Sequence, residues 1–178
     1  MQKKKQILSK YNNYSYIKIY DKRYKKLQYN KMEKITNNSQ KITVHDIILD
    51  YGCGTGLFWE YLKNKEILVD WRGKFLGIDI SVEMLKAFRE KHLISYFKYP
   101  QISNLKEGDK EGDKEGENCN HEELTENINL LCCDGENLPF REKLMDFIYA
   151  FTSLQNLDNI EQGLKEIFKI KKKIPELV

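Results

Sequence analysis

The chain has 178 residues, enough for one domain with a real core, of which 40% are hydrophobic and 32% charged. No apolar run approaches the ~20 residues that span a bilayer, and the start Met-Gln-Lys-Lys-Lys lacks the apolar core and cleavage site of a signal peptide. A membrane span and a secreted class are thereby disfavoured, and a cytoplasmic protein is the expectation. The cysteines, Cys53, Cys119, Cys132 and Cys133, fit no disulfide framework and contain no C-x-x-C pair, so reduced thiols and no metal are expected.

The net charge of +3 is unevenly placed. Residues 1–41 carry eleven lysines and Arg23 against Asp21 and Glu33, a local balance of +10. Such a stretch reads as a solvated helical face, with RNA left open as a partner. Tyrosines recur at 11, 14, 16, 20, 24 and 29, and from Tyr16 the apolar positions have partial helical spacing. A polar linker follows at Thr36-Asn37-Asn38-Ser39-Gln40.

The next stretch organises the rest. Ile47-Ile48-Leu49-Asp50-Tyr51 is a short apolar run ending near an acid, and Gly52, Gly54 and Gly56 follow at alternate positions. The run after them, with Leu57, Phe58, Tyr61 and Leu62, has helical spacing. This predicts a first strand over about 46–51, a tight glycine turn and a helix. Glycines there let a ligand lie against bare main chain, and the helix start presents free N–H groups to it. Dinucleotide sites prefer G-x-G-x-x-G. The G-x-G-x-G spacing here disfavours a nicotinamide cofactor.

A second apolar strand over 74–80 contains Asp79, and Ser81 is placed to cap the helix that follows, with Glu83 in its first turn. Met84, Leu85, Phe88 and Leu93 mark that helix's inner face. Asp79 falls about 20 residues past the glycines, where nucleotide-binding α/β units place an acid for ribose hydroxyls. Taken alone it is equally a helix-capping acid. Residues 107–117 repeat Glu-Gly-Asp-Lys without an apolar side chain, which predicts a disordered acidic insertion over about 106–123, away from the site. Ile128 to Asp134 is a third strand, again ending in an acid. Met145 to Phe151 is a fourth, and a helix over about 159–172 closes the pattern, with Gly163 inside it at a cost of about 1 kcal/mol relative to Ala.

These stretches carry a family resemblance. Leu49-Asp50-Tyr51-Gly52-Cys53-Gly54-Thr55-Gly56 resembles motif I of the class I S-adenosylmethionine (SAM) dependent methyltransferases. Tyr20-Asp21-Lys22-Arg23-Tyr24 resembles the Y-D-x-x-Y stretch of small methyltransferases, and Cys133-Asp134-Gly135-Glu136-Asn137-Leu138-Pro139-Phe140 resembles the D-A-x-x-L-P-F element of the type-11 group. Asp146 in strand four and the loop Thr152 to Asn156 match the family's F-D-x-V strand and S/T-x-L-x-N/H loop. The likeness covers about residues 16–170 and is closest to the type-11 methyltransferases.

The resemblance implies an α/β fold, a Rossmann-like three-layer αβα sandwich with a mostly parallel sheet. It implies an N-terminal helical cap and linker over 1–45 and a partial SAM-binding domain over 46–178. It implies methyl transfer from SAM to an acceptor, a small molecule before RNA. The expected cofactor-binding residues are Tyr20, Tyr24, Asp50, Gly52, Cys53, Gly54, Asp79, Ile80, Met84, Asp134, Gly135 and Phe151. In the family the acid at Asp134 bonds the adenine amino group. No general base stands out: His45 precedes strand one, His92 reads as a helix-surface residue, and His121 lies beside the acidic repeat. The family carries about three further strands past this point. Their lack predicts an open strand-four edge, a fragment, a covering partner or an inactive supporting subunit.

Overall fold

The computed structural model describes residues 2–92 and 127–172. Four parallel strands form one sheet: β1 Ile47–Tyr51, β2 Lys74–Asp79, β3 Ile128–Cys132 and β4 Phe147–Tyr149, in the order β3-β2-β1-β4. The helices are α1 Gln2–Tyr11, α2 Tyr14–Thr36, α3 Leu57–Asn64, α4 Val82–Lys91 and α5 Ile160–Ile170. Among the described residues no helix is long and apolar enough to cross a membrane, and no group of three His, Cys, Asp or Glu side chains could hold a metal ion.

Strand side chains alternate between faces, and the two faces bury two cores. Ile48 and Phe75 join Met32 of α2, Phe58 and Leu62 of α3, and Phe88 of α4. Leu49, Tyr51 and Ile78 point the other way, toward Leu157 and Ile170. The sheet is therefore sandwiched, and β1 sits at its centre, pairing Leu49 with Leu76 on one side and with Ile148 on the other. Chain order reverses between β1 and β4. In such sheets the ligand crevice opens at the carboxyl ends of the strands beside that reversal.

Local signals explain the helix ends. The Ser81 hydroxyl accepts from the Met84 N–H at 3.2 Å, as its position predicts, and Asn13 and Asn159 cap α2 and α5 in the same way. Gly163 has a packing reason for its place in α5: a Cβ there would stand 2.3 Å from Leu157 Cδ1.

The structure departs from expectation in three places. Residues 2–11 form a complete helix, whereas helical spacing was legible only from Tyr16. β4 is three residues long, not seven; Met145 instead bridges Lys171, and the Lys172 N–H donates to the Met145 carbonyl at 2.8 Å. The chain leaving α5 thus lies against the foot of β4, so this edge is not bare along its whole length. His92 is buried rather than on the helix surface. Its Nε2–H donates to the Gly56 carbonyl at 3.1 Å and its ring meets Phe88 edge-on. Burial, with Lys91 and Lys63 nearby, pushes the imidazole down to about 4, so it is neutral at physiological pH. The charged run Arg89-Glu90-Lys91 beside it masks that inward turn. The acidic repeat, Leu93, Cys119 and His121 lie outside the described residues.

Candidate functional site

The glycine turn leaves the carboxyl end of β1. Gly52 takes φ +77°, open to glycine at no steric cost, and a Cβ there would lie 2.4 Å from Ser153 Cβ. The N–H groups of Gly52 and Cys53 both donate to the Ile78 carbonyl, at 2.8 and 2.9 Å, tying the turn to β2. Gly54 has nothing within 4 Å of where a Cβ would stand, so its main chain faces open space.

Asp79 ends β2 beside this turn. Its Oδ2 accepts from the Gly54 N–H at 2.9 Å and its Oδ1 from the Ser81 N–H at 2.8 Å. Burial pushes the carboxyl up while these N–H groups pull against it. A carboxylate has about four acceptor directions, more than these N–H groups fill.

Asp134 stands past the end of β3. Lys4 of α1 reaches across the crevice to it, with Nζ 2.6 Å from Asp134 Oδ2 and 3.0 Å from Glu136 Oε2. Burial alone would raise the Asp134 carboxyl, but the Lys4 ammonium and the Glu136 N–H hold it below its ordinary range. Glu136 in turn accepts from the N–H groups of Asp158 and Asn159, at 2.7 and 3.0 Å, and so fixes the start of α5.

The crevice between these groups holds a cavity of about 100 Å³. Nine of the twelve expected residues line it: Tyr20, Gly52, Gly54, Asp79, Ile80, Met84, Asp134, Gly135 and Phe151. Asp50 and Cys53 do not. They line a smaller cavity of about 30 Å³ on the α2 side of the turn, which shares Tyr20, Gly52, Gly54 and Phe151 with the larger one. Tyr24 borders neither; it packs against Tyr20 at a ring separation of 5.0 Å, its hydroxyl 3.5 Å from that of Tyr16. Lys4, Ile7, Tyr11 and Tyr51 line the larger cavity without having been foreseen, and Ser153 and Asn156, outside the twelve, reach it from the loop that the family resemblance singles out. Those from α1 sit in a lysine-rich start whose only apolar marks are Ile7, Leu8 and Tyr11. Gln28, which lines the smaller cavity, interrupts an i, i+4 row between Tyr24 and Met32, and that interruption was its one signal.

Asp50 is 2% exposed and its Oδ2 has no hydrogen-bond partner. Burial, and secondarily the Asp79 charge, place its carboxyl well above the usual value of 3.8. The fold therefore retains a proton that the unfolded chain gives up. The stability this contributes is complete below about pH 3.8 and is lost as pH rises from there through the folded-state pKa. Asn cannot ionise in either state. Asp50→Asn is expected to match the wild type at low pH and to gain on it progressively as pH rises toward 7. Urea unfolding across that range checks it; an advantage that does not grow with pH contradicts it.

The model of the methyltransferase domain family (Methyltransf_11) matches residues 49–174, which spans the glycine turn, both cavity acids and α5. The uncharacterized protein MJ1252 of Methanocaldococcus jannaschii is 26% identical over 158 residues, covering 87% of this chain and 44% of its own length. A SAM-dependent methyltransferase from Aquifex aeolicus superposes with a TM-score of 0.60 at 21% identity, over 89% of this chain and 66% of that one. A Haloferax volcanii protein assigned as a methyltransferase, in complex with the Trm112 methyltransferase activator, gives 0.56 at 18% identity, over 86% and 52%. At these identities the two structures share the fold, and the chain spans less than two thirds of each of these relatives. The turn, the acid-tipped parallel strands and the matched span agree: the chain belongs to the methyltransferase domain family, whose Rossmann-like fold serves S-adenosylmethionine as cofactor.

Proposed function

We propose that this chain binds SAM in the crevice between β1 and β4 and transfers its methyl group to a small-molecule acceptor. The observation that carries this reading is the meeting of the glycine turn, Asp79 and Asp134 around one cavity at the carboxyl edge of the sheet. The open side of Gly54 suits a nucleoside laid against main chain, and the remaining acceptor capacity of Asp79 suits ribose hydroxyls. Asp134 suits the adenine amino group, with Gly135 beside the ring.

When bound, the cofactor supplies a methyl group already activated by its sulfonium charge. The chain's part is to bind, orient and exclude water. Tyr20 and Phe151 wall the cavity where α2 meets the end of β4, and Ser153 and Asn156 present polar groups on the same side. No imidazole lines the cavity among the described residues. Titration with S-adenosylhomocysteine tests the reading: saturable one-site binding is expected, and no heat at millimolar ligand with folded protein contradicts it.

Lys4 is the group standing on the proposed adenine acceptor. Removing it frees Asp134 at the cost of a partly exposed ion pair. Lys4→Ala is therefore expected to tighten S-adenosylhomocysteine binding roughly two- to fivefold. Weaker binding would instead make Lys4 part of the nucleoside site.

A further inference from the structure

The basic start of the chain is left unused by the cofactor reading. α2 carries seven lysine and arginine side chains against Asp21 and Glu33. Both acids are taken by lysines of other elements: Asp21 accepts from Lys91 of α4 at 2.6 Å, and Glu33 from Lys65, just past α3, at 2.8 Å. Of the basic side chains on α2, Lys25 alone meets an acid among the described residues, Glu60 of α3. Lys18, Lys22 and Lys26 are all exposed and follow one another at i, i+4 spacing, a rise of about 6 Å per step. Like charges at that spacing destabilise a helix, and no acid of the described residues offsets this row.

Lys22 and Lys26 line a groove of about 580 Å³ between α2 and α3. It shares no residue with the cavity of the cofactor reading and lies on the other side of α2 from Tyr20. Two rings line it, Tyr29 and Tyr61, meeting edge-on at 5.4 Å. Asn64 Nδ2 donates to the Tyr29 hydroxyl at 3.3 Å and so fixes that ring. Lys25 Nζ stands 5.4 Å from the ring's centre, so the Tyr29 face already receives a cation. Asn30 lines the groove too, and its amide makes no hydrogen bond among the described residues. No aliphatic side chain lines it. A lipid surface needs an apolar face beside the basic one, and the groove does not offer it.

We propose that this groove docks single-stranded RNA, with phosphates on Lys22 and Lys26, a base against Tyr29 and a 2′-hydroxyl on the Asn30 amide. The inference goes beyond the cofactor reading and does not rest on it. RNA held here is a partner of the chain rather than its methyl acceptor, because the groove and the crevice have no residue in common. A row of uncompensated cations matches a polyanion, whose bound counterions each contact releases. Every base presents a face to an aromatic ring, so stacking suits an unpaired strand, whereas a duplex hides those faces. Lys65 shares only a half-exposed ion pair with Glu33, weak enough to be exchanged for a further phosphate. An acidic protein would satisfy the lysines and leave the Tyr29 face without a use.

Fluorescence anisotropy of the full chain with a dye-labelled, unstructured RNA of about 12 nucleotides tests this. Saturable binding that weakens as salt rises is expected. The double variant Lys22→Gln, Lys26→Gln is expected to bind roughly tenfold or more weakly. Its slope of log affinity against log salt should be shallower by about 1.4, two phosphate contacts at about 0.7 each. The double variant Arg23→Gln, Lys34→Gln removes the same charge outside the groove and is expected to cost about twofold or less. Tyr29→Leu is expected to weaken binding roughly fivefold or more with the salt slope unchanged, the mark of lost stacking; if it does not fold, the lysine pair carries the test. DNA of the same sequence offers Asn30 no 2′-hydroxyl and is expected to bind more weakly. Relief of like-charge crowding should leave the urea midpoint of the Lys22, Lys26 variant at or above that of the wild type. The proposal is overturned by the absence of saturable binding, by an equal loss in the Arg23, Lys34 variant, or by equal affinity for DNA. A lowered urea midpoint also overturns it, since the lysines then serve the fold. So does binding to phosphatidylserine vesicles in place of RNA, which would make the surface a membrane contact.

Discussion

Asp79→Ala is expected to weaken S-adenosylhomocysteine binding roughly 5- to 150-fold and to lower folding stability by about 1–3 kcal/mol. One side chain has both effects because it serves two sets of partners. Toward the protein it accepts from the Gly54 and Ser81 N–H groups, holding the glycine turn to the start of α4. Toward the crevice it offers its remaining acceptor directions to ribose hydroxyls. Alanine leaves two N–H groups without their acceptor and the ligand without its anchor. Asp79→Asn separates the two: its single carbonyl oxygen can keep one N–H but not the full set. Calorimetry for the ligand and urea unfolding for stability check both arms. Unchanged affinity in Asp79→Ala would remove this residue from the site.

The second large effect lies under the same turn. Phe88→Ala is expected to destabilise the fold by about 3–5 kcal/mol, out of the roughly 5–15 kcal/mol that domains possess. Phe88 is fully buried, and its ring meets Phe75 and His92 edge-on at 6.3 and 5.0 Å. It also presses on the turn: a Cβ on Gly56 would come within 2.7 Å of the ring. Truncation leaves a cavity below Gly56, whose carbonyl is the acceptor for His92. Loosening of the turn should accompany the loss of stability, so ligand affinity is expected to fall as well. A loss under about 1 kcal/mol in urea unfolding would show that the neighbours collapse into the space.

The centre of this molecule was legible because its signals are local. Apolar runs ended at or near acids, glycines marked the turn at β1, and Ser81 announced α4. Strand position then follows from right-handed parallel crossovers, which bring Asp79 and Asp134 to one rim. What escaped depends on contacts distant in sequence. Lys4 is 130 residues from Asp134, and no periodicity in a lysine-rich start reveals that pair. Gln28 looks like one more polar residue in a polar helix, and only the fold shows it buried beside the glycine turn. His92 follows three charged residues, yet it turns inward because a backbone carbonyl awaits it. The apolar run over 145–151 outruns β4 because Met145 and Phe151 are apolar for other reasons: one meets the chain leaving α5, the other walls the cavity.

The placement of the cofactor is the claim on which the rest depends, and a crystal structure with S-adenosylhomocysteine tests it most directly. The ribose hydroxyls are expected within hydrogen-bond distance of Asp79, about 2.6–3.2 Å, with the adenine amino group at Asp134 and Lys4 displaced from it. A nucleoside seated elsewhere, with Asp79 and Asp134 keeping only their present protein partners, would contradict the account.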